Sequence, residues 1–113
     1  MADALVIFDG PGPLVQSATF TSETDGPVVF VLSGSAWTKT GGEVIGCNLF
    51  LDGNGIGNAA LCMSNEPTSH KALRTTLIPF DGMTIGSHSI EIVPYGGYTV
   101  TDMNDFFQVT MLY

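Results

Sequence analysis

The chain has 113 residues, 44% of them hydrophobic and only 12% charged, with 14 glycines and six prolines. That apolar content excludes a disordered chain, and no apolar run approaches the roughly 18 residues that cross a bilayer. Eleven acids against Lys39, Lys71 and Arg74 leave a formal net charge of −8, so no basic track exists for nucleic acid and binding to anionic membranes is disfavoured.

One domain, residues 1–113, is expected at this length. Met1-Ala2-Asp3-Ala4-Leu5 has no basic region, and Asp9-Gly10 ends the first apolar run. No signal peptide is expected there, and the location stays open, a virion or particle surface included. Glycine and proline interrupt the chain every few residues, which nearly excludes helices. One helical turn remains possible at Thr68–Leu73, just after Pro67. The rest reads as short strands between turn signals: Leu5–Phe8, Leu14–Thr21, Pro27–Trp37, Val44–Leu51, Ile56–Met63, His70–Phe80, Gly86–Val93 and Phe106–Tyr113, with a weaker piece at Tyr98–Thr101. Asp52-Gly53-Asn54-Gly55 is the clearest hairpin turn, because its residue types accept positive φ. About eight antiparallel strands make a two-sheet sandwich of jelly-roll or immunoglobulin-like type.

Several strands are apolar on both faces. Ile45, Cys47, Leu49 and Leu51 share one side, with Val44 and Phe50 on the other. In the last strand Phe107, Val109, Met111 and Tyr113 oppose Phe106 and Leu112. A sandwich needs one apolar face per strand. The surplus at Phe50, Phe106 and Leu112 reads either as scattered exposure or as a subunit interface in a homo-oligomer, a trimer among the options. Cys47 and Cys62 flank one hairpin and read as buried thiols, although a cross-strand bridge is geometrically conceivable.

Motifs for catalysis are missing: no G-x-S-x-G elbow, no P-loop and no dinucleotide fingerprint occur. No cofactor is expected. His70, close to Glu66 and Ser69, has the raw material for acid–base work, yet a loop-anchoring histidine has the same signature. His88 shares a face with Ile90 and Ile92 and reads as half-buried and structural. Asp102, Asn104 and Asp105 could offer oxygens to calcium, or could form an Asx turn that caps its own backbone. Trp37, Tyr95 and Tyr98 stand at loops, where they serve as contact platforms for sugars or proteins, or as lids on the sandwich ends.

The segments Ser33-Gly34-Ser35-Ala36-Trp37, Ile45-Gly46, Asp52-Gly53, Ile56-Gly57 and Ser69-His70-Lys71-Ala72-Leu73 resemble small β modules of bacterial and phage genomes. So does the tail from Gly86 through Thr110. The resemblance implies adhesion or particle structure, of capsid-decoration, tail-fibre or lectin-like kind, without a catalytic residue to carry over. The leading expectation is therefore a non-enzymatic structural or attachment module of a phage-like particle, partnered by itself and by other particle proteins. The alternative is a carbohydrate-binding module that meets surface glycans through Trp37, Tyr95, Tyr98 and His70.

Overall fold

A computed structural model describes residues 3–113, with Asn58 given by its backbone alone; Met1 and Ala2, on which part of the leader expectation rests, lie outside it. Nine strands follow in chain order: β1 Ala4–Pro11, β2 Gln16–Ser22, β3 Gly26–Ala36, β4 Glu43–Leu51, β5 Asn54–Ser64, β6 Lys71–Ala72, β7 Thr76–Met83, β8 Gly86–Pro94 and β9 Phe106–Leu112. They form two antiparallel sheets. One runs β1-β9-β3-β6, with β7 also paired to β3, and the other runs β2-β8-β4-β5. Early and late strands thus alternate within each sheet, which is the double Greek-key order of a jelly roll.

The expected strand His70–Phe80 is two pieces. β7 pairs with the first half of β3, from Leu32↔Thr76 to Gly26↔Met83, whereas β6 pairs with its end at Ser35↔Ala72 and Ala36↔Lys71. Between them the chain leaves the ladder at residues 73–75, where Leu73 is buried and Arg74 N–H donates to Leu61 across the sandwich. His70 lies just outside β6, and no helical turn forms at Thr68–Leu73. The hairpin turn is also tighter than its four residues suggested. Leu51 pairs with Asn54, so only Asp52 and Gly53 turn, at φ of 50° and 84°. Two consecutive positive values are what a primed two-residue turn requires.

The inner faces close on a core of Phe30, Leu32, Ile45, Leu49, Ile78, Ile90, Ile92, Phe107, Val109 and Met111, all essentially without exposure. Alternation decides this in β4 and β9: Ile45, Cys47, Leu49 and Leu51 are buried while Val44 is exposed. Phe107, Val109 and Met111 are likewise buried, whereas Phe106 is 58% exposed. Both cysteines are free. Cys47 is buried, which pushes its thiol up to about 12, and Cys62 is half-buried, opposite Ile45.

Candidate functional site

The sequence features singled out as reactive or sticky gather at one end of the sandwich, where β3 runs out. Trp37, one residue past β3, forms a two-bond bridge with Val100: its N–H donates to the Val100 carbonyl at 2.9 Å, and Val100 N–H returns the bond at 2.8 Å. This bridge draws the segment after β8 against the loop after β3. The Thr99 hydroxyl accepts from Gly46 N–H at 3.1 Å and donates to the Tyr95 carbonyl, so the outgoing loop is pinned to β4. A shallow groove of about 250 Å³ remains between the two loops, lined by Thr38, Lys39, Thr40, Gly97, Tyr98 and Val100. Tyr98 is 51% exposed beside it, and Tyr95 stands exposed at the start of the same loop. Trp37 is half-buried and supports the groove more than it covers it; its indole Nε1–H is buried without a hydrogen-bond partner.

Behind Trp37 lies a polar cluster built by pairing register. Because Ala36 faces Lys71, the next position places Trp37 against His70, and their ring centres are 5.9 Å apart. His70 Nδ1–H donates to Asp105 Oδ1 at 2.8 Å, and the Ser35 hydroxyl donates to the same oxygen at 2.7 Å. Asp105 Oδ2 accepts from Asp102 N–H at 2.9 Å. Asp105 is fully buried and all its donors are ordered parts of the fold, which is how a carboxylate tolerates burial. The bond to Asp105 holds the His70 imidazole above its ordinary pKa, against the desolvation that lowers it.

Asp102 also accepts from Asn104 N–H at 2.8 Å, so residues 102–105 form the Asx-type turn, with both aspartates turned to backbone N–H groups. His70, Asp102 and Asp105 are, among the described residues, the one group whose ligand atoms come within 4.8 Å of each other. A cation there would compete with the three donors that already satisfy Asp105. Glu66 does not reach His70; it holds Lys71 at 3.1 Å. The one hydroxyl in the cluster, Ser35, donates to the carboxylate and not to the imidazole. The arrangement orients a loop; it does not present a nucleophile to a base.

His88 sits at the opposite end, half-buried as its strand position implied. Its Nδ1 meets Asp52 Oδ2 at 2.6 Å, its Nε2 meets the Thr84 carbonyl at 2.7 Å, and its ring stacks on Phe20 at 5.6 Å. A carbonyl only accepts, so Nε2 carries a proton, and the carboxylate draws a second proton onto Nδ1. These contacts raise the His88 pKa and lower that of Asp52. Asp52 also caps Ser89 N–H at 2.8 Å, which ties the tight turn to β8.

Sequence reading missed the partners of both histidines, Asp105 and Asp52, and it missed Ser35. All three lie 35 or more positions away from the residue they serve, so only the strand pairing brings them together. The three surplus apolar residues do not share one surface. Leu112 lies mid-sheet between Ala4 and Val29, Phe106 at the far end of β9 opposite Pro11, and Phe50 on the outer face of the other sheet beside Glu91.

A larger concavity, about 510 Å³, lies over β2 and β8 and is lined by Ser17, Ala18, Thr19, Ser89, Ile90 and Glu91. It is an open stretch of sheet surface with no aromatic side chain.

No protein-family model matches the chain, and no curated protein matches its sequence. Solved structures do share its fold. The dimeric latent PorU of Porphyromonas gingivalis superposes over 96% of this chain with a TM-score of 0.55 at 14% identity, and the match spans only 11% of PorU. The CBM36-1 domain of a multidomain xylanase from the hindgut metagenome of Trinervitermes trinervoides is similar over 98% of this chain and 97% of its own, with a TM-score of 0.48 at 11% identity. A family 35 carbohydrate-binding module from Clostridium thermocellum covers 96% of this chain and 91% of its own, with a TM-score of 0.48 at 9% identity. At such identities the likeness is one of β-sandwich fold.

Proposed function

We propose that the protein is a non-enzymatic carbohydrate-binding module that takes its ligand in the groove between residues 38–42 and 95–100. The observation that carries this reading is the pairing, on one small surface, of an exposed tyrosine ring with polar side chains. Tyr98, 51% exposed, stands beside the exposed Lys39 and Thr40 in a groove of about 250 Å³, with Thr38 buried beneath them. A sugar ring has an apolar C–H face and a hydroxyl rim. It therefore suits a surface where an aromatic platform and hydrogen-bonding groups lie within one ring's width. The groove is open and shallow, which fits a short stretch of a chain-like ligand better than an enclosed metabolite. His70 and Trp37 act from behind, fixing the two loops through Asp105 and Val100. A role in a phage-like particle rests on resemblance alone and has no structural feature of its own here.

A glycan array probed with the wild type and with Tyr98→Ala tests the reading. The wild type is expected to bind a restricted set of glycans, and Tyr98→Ala to lose at least about tenfold in affinity, the worth of one aromatic platform. A wild type that binds no glycan, or a Tyr98→Ala protein that binds as well, removes it.

A further inference from the structure

The two walls of the groove are continuations of segments that meet at His70. One wall, residues 38–40, follows Ser35 and Trp37 at the end of β3; the other, residues 97–100, runs on into Asp102 and Asp105. His70 touches both. Its segment joins the first wall, where Thr68 N–H donates to the Thr38 carbonyl at 2.7 Å, and its ring lies against Trp37. Its nitrogens face the continuation of the second wall, Nδ1 at 2.8 Å from Asp105 Oδ1 and Nε2 at 3.7 Å from Asp102 Oδ2. Asp102 stands two residues beyond Val100, whose bridge to Trp37 is where the walls touch.

Both partners of the ring are carboxylates, which only accept. A neutral imidazole has one N–H. With that proton given to Asp105, Nε2 turns a lone pair toward Asp102, and only the doubly protonated ring attracts both acids. Asp105 is fully buried and is held by Ser35 and Asp102 N–H as well, so it stays put. Asp102, its side chain 41% exposed and seated on a turn, is the partner free to respond.

We propose that His70 is a proton-operated clasp on the groove: doubly protonated, it draws residues 97–102 toward residues 37–40, and loss of one proton slackens that hold and weakens carbohydrate binding. The clasp rests on the carbohydrate reading of the groove and makes His70 a positioning residue. Asp105 and Asp102 are the charges that bear on the ring, and both favour its protonated form; Lys71 and Glu66, on its own segment, pair with each other at 3.1 Å. Affinity is therefore full on the acid side of the His70 titration and falls as pH rises through it.

Two measurements test this. The first needs no ligand: NMR from about pH 5 to about pH 9 follows the His70 ring and the backbone amides of the groove. Amides at 39–40 and 97–98 should titrate with the ring, lose that transition in His70→Gln, and keep it in His88→Gln, whose site lies at the other end. The second is the affinity for a glycan selected on the array. It should fall about two- to fivefold across the same transition, the worth of a partly exposed ion pair, and stay level in His70→Gln. Groove amides that ignore the His70 titration overturn the clasp, whatever the array finds. Glycan affinity that does not change across it also overturns the clasp and leaves the carbohydrate reading standing. An array without a binder removes that reading, and with it the clasp's proposed role in binding.

Discussion

His88 and Asp52 show how single residues tie the turn end of the sandwich together, and their protonation sets when they do so. The pKa of Asp52 is lowered from its ordinary value of 3.8, chiefly by the bond to His88. Its contribution is therefore complete above that value and is lost as pH falls through the lowered one. The pKa of His88 is raised from 6.5, chiefly by the bond to Asp52. Its contribution is complete below 6.5 and is lost as pH rises through the raised value. The pair thus stabilises most between those two unfolded-state values, and His70, raised by Asp105, adds to the loss on the alkaline side. Thermal melts across pH should show a maximum in that window. His88→Gln should flatten the alkaline decline, and His70→Gln should remove part of what remains. An unchanged alkaline limb in both variants would mean that neither imidazole is charged in the fold. The histidines were visible in the sequence as candidates, but their roles were not, because a histidine's chemistry is set by the carboxylate beside it. Here that carboxylate sits 35 positions away for His70 and 36 for His88.

Elements are held in register by contacts that depend on small residues as much as large ones. Gly34 in β3 faces Phe107 in β9, and a Cβ on Gly34 would fall 2.3 Å from the Phe107 ring and 3.1 Å from the Phe106 carbonyl. Phe107 is 1% exposed and has nowhere to move. Gly34→Ala should therefore destabilise the protein by about 1–3 kcal/mol, the usual cost of overpacking a filled site, read as a lower urea midpoint. A midpoint within error of the wild type would show that the ring is free to shift. Alternation made the core faces of β4 and β9 readable, since one side of each strand is continuously apolar. The same rule could not reveal the break between β6 and β7. His70–Phe80 contains no glycine to mark a break, and its one proline, Pro79, is tolerated because β7 is an edge strand. What splits the segment is tertiary: Leu73 drops into the core and Arg74 bonds to Leu61. His70 lies before β6, on the side away from that break, where its ring reaches Asp105.

The whole molecule is a sandwich whose two halves of sequence alternate between sheets, so every loop at one end is assembled from distant segments. Composition and turn spacing were enough to read two antiparallel sheets, because glycine and proline leave room for little else. Strand order was not readable, since periodicity says which face is buried but not which strand lies beside it. For the same reason Trp37, Tyr98 and His70 could be picked out singly, yet their meeting at one end follows only from β3 pairing with β6 and from the bridge to Val100. That end is where a ligand-binding surface belongs, on loops positioned by a rigid scaffold. On the proposed reading this groove, and not the wider concavity over β2 and β8, receives a carbohydrate. Backbone amide NMR shifts recorded while titrating a glycan selected on the array distinguish the two surfaces. Perturbations should cluster at residues 38–42 and 95–100, with those at 17–19 and 89–91 unmoved; shifts confined to the β2–β8 face would contradict it.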